Sequence, residues 1–108
     1  MARILLVDAD PAVRGLVEEW LAEEDWSLVE EHPDVVLVDL PSPREHGTSV
    51  VKRISNAHPQ APVVALSSSF FDGIEHNGAL ARSLGVAGVL PKPLTLDALL
   101  AALRRALG

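Results

Sequence analysis

Four short runs rich in Val, Ile and Leu constrain the fold of this chain more than any other feature: RILLV (3 to 7), DVVLV (34 to 38), PVVAL (62 to 66) and AGVLP (87 to 91). None shows the alternation of apolar and polar residues that marks a strand with one wet face, so each is expected to be a strand covered on both sides. Amphipathic stretches lie between them. Asp10 can cap a first helix with Pro11 in its first turn, and Val13, Leu16, Val17, Trp20 and Leu21 recur at helical spacing. Val50, Val51, Ile54 and Ala57 make a second stripe that stops before His58-Pro59. Thr95 can cap a last helix with Leu96, Leu99, Leu100, Leu103 and Leu107 facing inward, Arg104 and Arg105 in its final turn and Gly108 after it. Alternating strand and helix implies a parallel sheet wrapped on both faces, an α/β doubly wound fold.

The size of the chain fits one such unit. Its 108 residues, 48% of them hydrophobic, suffice for a single domain spanning 1-108 and its core, and are too few for two. With no cysteine there is neither a disulfide framework nor a thiolate metal site. The opening MARILLVDAD meets an acid too early for a secretory leader, and no apolar run reaches the roughly 18 residues of a membrane span, so a cytoplasmic protein is expected, without membrane contact. Fifteen acids against nine bases give a net charge of -6, which disfavours direct nucleic-acid binding because no basic stripe can displace counterions. The acids clustered from Glu18 to Glu31 read as a solvated helix face. His32, His46, His58 and His76 show no metal spacing and read as solvated. Phe70 and Phe71 read as loop anchors.

In an open parallel sheet, ligands bind beyond the carboxyl ends of the strands. Here the runs end at Asp8 with Asp10 close behind, at Asp39, at Ser67, and at Lys92 just after Pro91. Two acids, a hydroxyl and an ammonium are therefore expected on one edge. Pro41 and Pro43 stiffen the loop after Asp39, and Gly47 lets it turn into a helix.

On these residues the chain resembles the receiver domain of bacterial two-component response regulators. The carriers are ILLVDAD, DLPSPREHG with Pro four and Gly eight residues after the Asp, PVVALSS, and GVAGVLPKPL. The resemblance implies a flavodoxin-like sheet of order 2-1-3-4-5. It makes Asp39 the phosphorylated carboxylate, fed by a phosphohistidine of a sensor histidine kinase or phosphotransfer protein. Lys92 and Ser67 become the groups that stabilise the phosphoryl oxygens and switch the fold. Mg2+ is expected between Asp8, Asp39 and the backbone carbonyl of Pro41, with Asp10 as a further candidate ligand. The signal would pass by protein contact to a downstream partner, from a receiver standing alone, and the chain is not expected to be an enzyme in the ordinary sense.

Three departures accompany the resemblance. Ala9 occupies the position of the family's second acid, the direct metal ligand, so Mg2+ binding should be weakened; the simpler role for Asp10 is the helix cap. Val89 stands where many relatives carry a switch aromatic. Between the first helix and DVVLV only WSLV (26 to 29) could be a strand, and the residues Glu30 to Asp34 are too few for the usual parallel crossover. Either the sheet is four-stranded, order 1-3-4-5, with WSLVEEH a helix or loop, or the natural protein has further residues between Val29 and Glu30. A four-stranded sheet would leave the first strand's edge open to pairing, so a homodimer is an expectation of that case. Two other functions compete: a degenerate receiver acting as a phosphorylation-independent interaction module, and a haloacid dehalogenase-like phosphatase, whose DxD motif Asp8-Ala9-Asp10 resembles. The last needs a further strand with paired acids, for which only Asp97 on a helix is on offer.

Overall fold

The computed structural model describes residues 2–24, 26–40, 48–67, 82, 85–91 and 94–107, with Ser67 and Pro91 described by their backbone alone. Five strands are formed: β1 (Ala2–Val7), β2 (Trp26–Leu28), β3 (Val35–Asp39), β4 (Val63–Ser67) and β5 (Gly88–Pro91). All pair in parallel, in the order β2-β1-β3-β4-β5. The four apolar runs are thus strands within one or two residues of their expected bounds. β3 lies at the centre and all five of its residues are buried, which is why its sequence shows no alternation.

Helices α1 (Pro11–Glu23) and α3 (Leu96–Leu107) cover one face, and α2 (Thr48–Ala57) lies on the other. The pleat sorts the strands between two cores: Val35 and Leu37 of β3 join Leu21, Leu99 and Leu103 on the first face, while Val36 and Val38 join Val51 and Ile54 on the second. The stripes predicted for the helices hold only in part. Val17 and Leu21 are buried, but Leu16 is 36% exposed; Leu99, Leu100 and Leu103 are buried, but Leu107 is 40% exposed. Ala57 is likewise exposed at the end of α2. Leu107 and Ala57 are the last residues of their helices, where the stripe runs out of partner; Leu16, in the middle of α1, lies at the edge of its stripe beside buried Val17.

Of the two strand orders considered, the sheet takes 2-1-3-4-5, and it does so with no helix between β2 and β3. The expectation that WSLV could not occupy the far edge and still feed DVVLV is therefore corrected. It assumed strands running side by side over their full length. Instead β2 pairs only with Ala2 to Ile4, ending at Leu28 opposite Ile4, and β3 begins at Val35 opposite the same Ile4. The chain need not climb back down a strand. It steps sideways by two strand spacings, about 10 Å, and residues 29–34 can reach about twice that. The step is fastened at both ends: Val29 N–H donates to the Ile4 carbonyl (2.9 Å) and Asp34 N–H to the Arg3 carbonyl (2.8 Å). Because β2 covers only part of β1, its edge is not the fully open strand edge on which a pairing homodimer was expected.

Candidate functional site

Strand register builds one edge of the molecule from distant sequence. Val7 pairs with Val38, the last pair of that ladder, so Asp8 and Asp39 each directly follow it on neighbouring strands. Asp39 in turn pairs with Leu66, and Ser67 with Pro91, the residue before Lys92. The backbone positions of Asp8, Asp39 and Ser67 therefore occupy the carboxyl edge on successive strands spaced about 4.8 Å apart. Lys92 and Pro41 lie outside the described residues, as do His46, His76, Phe70 and Phe71.

The two acids of the edge differ in environment. Asp39 ends the central strand and is 5% exposed, the one charged residue in the buried core among the described residues. Asp8 is exposed and has φ of 56°, in the left-handed region that Asp tolerates better than most residues. That conformation turns the chain sharply out of β1. Ala9 then packs against the first core cluster, and Asp10 closes the N-terminus of α1: its Oδ1 accepts from Val13 N–H at 2.9 Å and its carbonyl from Arg14 N–H at 2.9 Å. The cap expected of Asp10 is thus formed. Thr95 does the same for α3, its Oγ1 accepting from Ala98 N–H at 3.2 Å.

Could these residues hold magnesium? The ion commonly binds through one or two carboxylates, completing its shell with water and phosphate oxygens. Asp8 and Asp39 on neighbouring strands meet that minimum. Ala9 adds no oxygen, and among the described residues no three His, Asp or Glu side chains group as a metal site. Among the described residues the edge thus offers a hard cation two carboxylates and no third.

Two contacts near the sheet were not anticipated from sequence. Arg14 donates to the Leu6 carbonyl (3.4 Å), on the stretch of β1 beyond the end of β2, and pairs with Glu18 at 3.7 Å. At the opposite edge, Asp34 Oδ2 accepts from Arg3 N–H at 2.8 Å and Oδ1 from the Arg3 guanidinium at 3.5 Å. The backbone bond first, and the guanidinium second, hold the Asp34 carboxyl below the usual carboxylate range. These pairs are 31 and 8 residues apart in sequence, so no local pattern announces them. The acid directly before VVLV was the only hint. The acidic cluster is as solvated as expected at Glu18, Glu19, Glu23, Glu30 and Glu31, while half-buried Glu24 pairs with Arg104 at 3.7 Å.

The parallel sheet of order 2-1-3-4-5 and the sequence that builds it match known proteins. The model of the response regulator receiver domain matches residues 26–104. The chain belongs to the receiver domain family. It is 30% identical to the transcriptional regulatory protein CpxR of Escherichia coli (strain K12) over 116 residues, an alignment covering 96% of this chain and 48% of that protein. It therefore spans about half the length of that relative. The chemotaxis response regulator CheY4 of Vibrio cholerae superposes with a TM-score of 0.76 at 21% identity, covering 98% of each chain. The receiver domain of the sensor histidine kinase PA1611 from Pseudomonas aeruginosa PAO1, solved with a magnesium ion coordinated in its active site cleft, gives 0.75 at 22% identity, covering 99% of this chain and 98% of that one.

As a receiver, the chain is a component of two-component signalling, a signalling rather than a catalytic domain. The phosphatase reading loses its footing: Asp97, the only acid it could recruit, sits exposed in the first turn of α3. No described helix is long and apolar enough to cross a membrane.

Proposed function

We propose that this receiver accepts a phosphoryl group on Asp39 from a phosphohistidine of a sensor histidine kinase or phosphotransfer protein in a bacterial cytoplasm. The observation that carries this reading is the burial of Asp39 at the end of the central strand, next to the strand that Asp8 follows. A carboxylate oxygen of Asp39 attacks phosphorus, the P–N bond breaks, its electron pair returns to the imidazole nitrogen, and an acyl phosphate forms. Such transfer depends on positioning and on neutralising the phosphoryl oxygens rather than on bond-making by the protein. Asp8, Asp39 and the Pro41 carbonyl would hold Mg2+, which supplies positive charge to those oxygens when bound. Lys92 supplies a fixed ammonium. Ser67 donates its hydroxyl to a phosphoryl oxygen of the adduct, drawing the segment after β4 toward the edge and shifting a two-state equilibrium read by a downstream protein.

A second reading, a degenerate receiver that works by contact alone, draws on Ala9. The side chain at the second acidic position is a methyl packed toward the first core cluster. One experiment separates the two. The protein is incubated with acetyl phosphate and Mg2+ and its intact mass is measured. An adduct of about 80 Da, absent from Asp39→Asn, is the expected result for phosphoryl transfer to a carboxylate; no adduct at high donor concentration would favour the contact module.

A further inference from the structure

The two edges of β1 are not paired over the same length. Its carbonyls turn alternately toward β3 and toward β2: that of Arg3 accepts from Asp34 N–H, just before β3, and that of Ile4 from Val29 N–H, just after β2. Leu6, two residues beyond Ile4, therefore turns its carbonyl to the β2 side. Among the described residues no strand stands there, because β2 pairs only with Ala2 to Ile4. Leu5, Leu6 and Val7 pair with β3 alone. The Leu6 carbonyl meets a side chain instead: Arg14 Nη2, from the first turn of α1, donates to it at 3.4 Å in a partly buried contact.

Asp8 lies two residues past Leu6. Its φ of 56° is a conformation that a residue other than glycine keeps only where its surroundings fix it. Arg14 ties down both flanks of that turn. Its guanidinium bonds Leu6 before Asp8, and its backbone N–H donates to the Asp10 carbonyl after it, at 2.9 Å. The ion pair of Arg14 with Glu18, at 3.7 Å between side chains 45% and 53% exposed, adds little. We propose that Arg14 is a positioning residue for Asp8, its guanidinium standing in for the rung that β2 lacks and bracing the end of β1 beside β3. This deepens the phosphoacceptor reading and rests on it, since Asp8 matters there as a holder of Mg2+. Arg14 acts through the β1 backbone and touches neither the ion nor the phosphoryl group. That sets the sign of its effect. A cation beside a magnesium site repels the ion, so charge alone would make loss of Arg14 tighten Mg2+ binding. Loss of a brace weakens it.

The test uses the whole chain and three variants, Arg14→Ala, Arg14→Lys and Glu18→Gln. Each is titrated with Mg2+ alone, followed by amide chemical shifts, and amide exchange is measured without the ion. Arg14 belongs to neither core cluster, so its loss leaves both intact. Arg14→Ala is expected to weaken Mg2+ binding about tenfold, as loss of a residue that orients a metal ligand does. It is also expected to speed exchange of the Val7 amide severalfold relative to that of Leu5. Arg14→Lys keeps the charge and a donor for Leu6 and is expected to recover most of both losses. Glu18→Gln keeps the Leu6 contact and is expected to behave as the parent does. Tighter or unchanged Mg2+ binding in Arg14→Ala, or unchanged Val7 exchange, would overturn the proposal. So would an equal loss in Glu18→Gln, which would make helix stability the cause, or no recovery in Arg14→Lys. Failure of the phosphoacceptor reading looks different: no protein, the parent included, would respond to Mg2+, while Val7 exchange would still respond to Arg14→Ala. That outcome would support the brace on β1 and overturn the ion at Asp8.

Discussion

Ala9 stands between two acids with opposite duties. Asp8 takes a left-handed backbone to turn the chain at the edge of the sheet, and Asp10 commits Oδ1 to the cap of α1. The edge is left with Asp8 and Asp39 as its carboxylates among the described residues. Restoring an acid at position 9 adds a third hard oxygen donor, and affinity for a hard cation rises with the number of charged ligands. Ala9→Asp is expected to tighten Mg2+ binding about tenfold by titration calorimetry and to speed adduct formation from acetyl phosphate. Unchanged affinity would mean that the Asp8 and Asp39 edge does not hold the ion. The placement of these acids was legible because each ends or follows an apolar run. The φ of Asp8 was not, since a positive φ is imposed by the turn into the cap rather than announced by the letters Asp-Ala-Asp.

At the scale of elements, the cap and the crossing each make a separable contribution. Asp10→Ala removes the acceptor for Val13 N–H and is expected to cost about 1 kcal/mol of unfolding free energy in urea. Mg2+ affinity should stay as it was, because the carboxylate serves the helix; a parallel loss of Mg2+ binding would make Asp10 a ligand. The crossing from β2 to β3 is fastened by Asp34 on Arg3. Its carboxyl titrates lower in the folded chain than its ordinary value of 3.8, so the stabilisation it gives is present above that pH and is lost as pH falls through the lower folded value. Asp34→Asn is therefore expected to be less stable than the parent at pH 7, with the difference closing as both are titrated toward pH 3. A difference constant from pH 7 to pH 3 would remove the charge from the account. Sequence revealed the strand WSLV and the shortness of the following link. It could not reveal the stagger that reconciles them, because stagger is a property of pairing between Ala2–Ile4 and residues two dozen positions away.

For the molecule as a whole, the doubly wound fold followed from four apolar runs whose lack of alternation demanded cover on both faces, and the described residues supply that cover unevenly. Thirteen buried residues form the core under α1 and α3, against eight in the core under α2, among the described residues. Large buried leucines are concentrated in the first: Leu21, Leu37, Leu66, Leu99 and Leu103 are all at most 1% exposed. The second is built mainly of valines, with Ile54 at its rim. Free energy of local opening scales with the apolar surface that opening exposes, so the two faces should not open together. Lifting α2 uncovers Val51 and Ile54 and leaves β3 backed by α1 and α3; lifting α3 uncovers three leucines and the centre of the sheet. Native-state hydrogen exchange is expected to show α2 amides exchanging through an opening well below the global unfolding free energy, while β3 and α3 amides exchange only near the global value. Leu99→Ala should cost about 3 kcal/mol and lower the protection of every strand, whereas Val51→Ala should cost less and lower the protection of α2 first. If exchange instead gave one free energy for all three elements, the uneven cover among the described residues would have no energetic consequence.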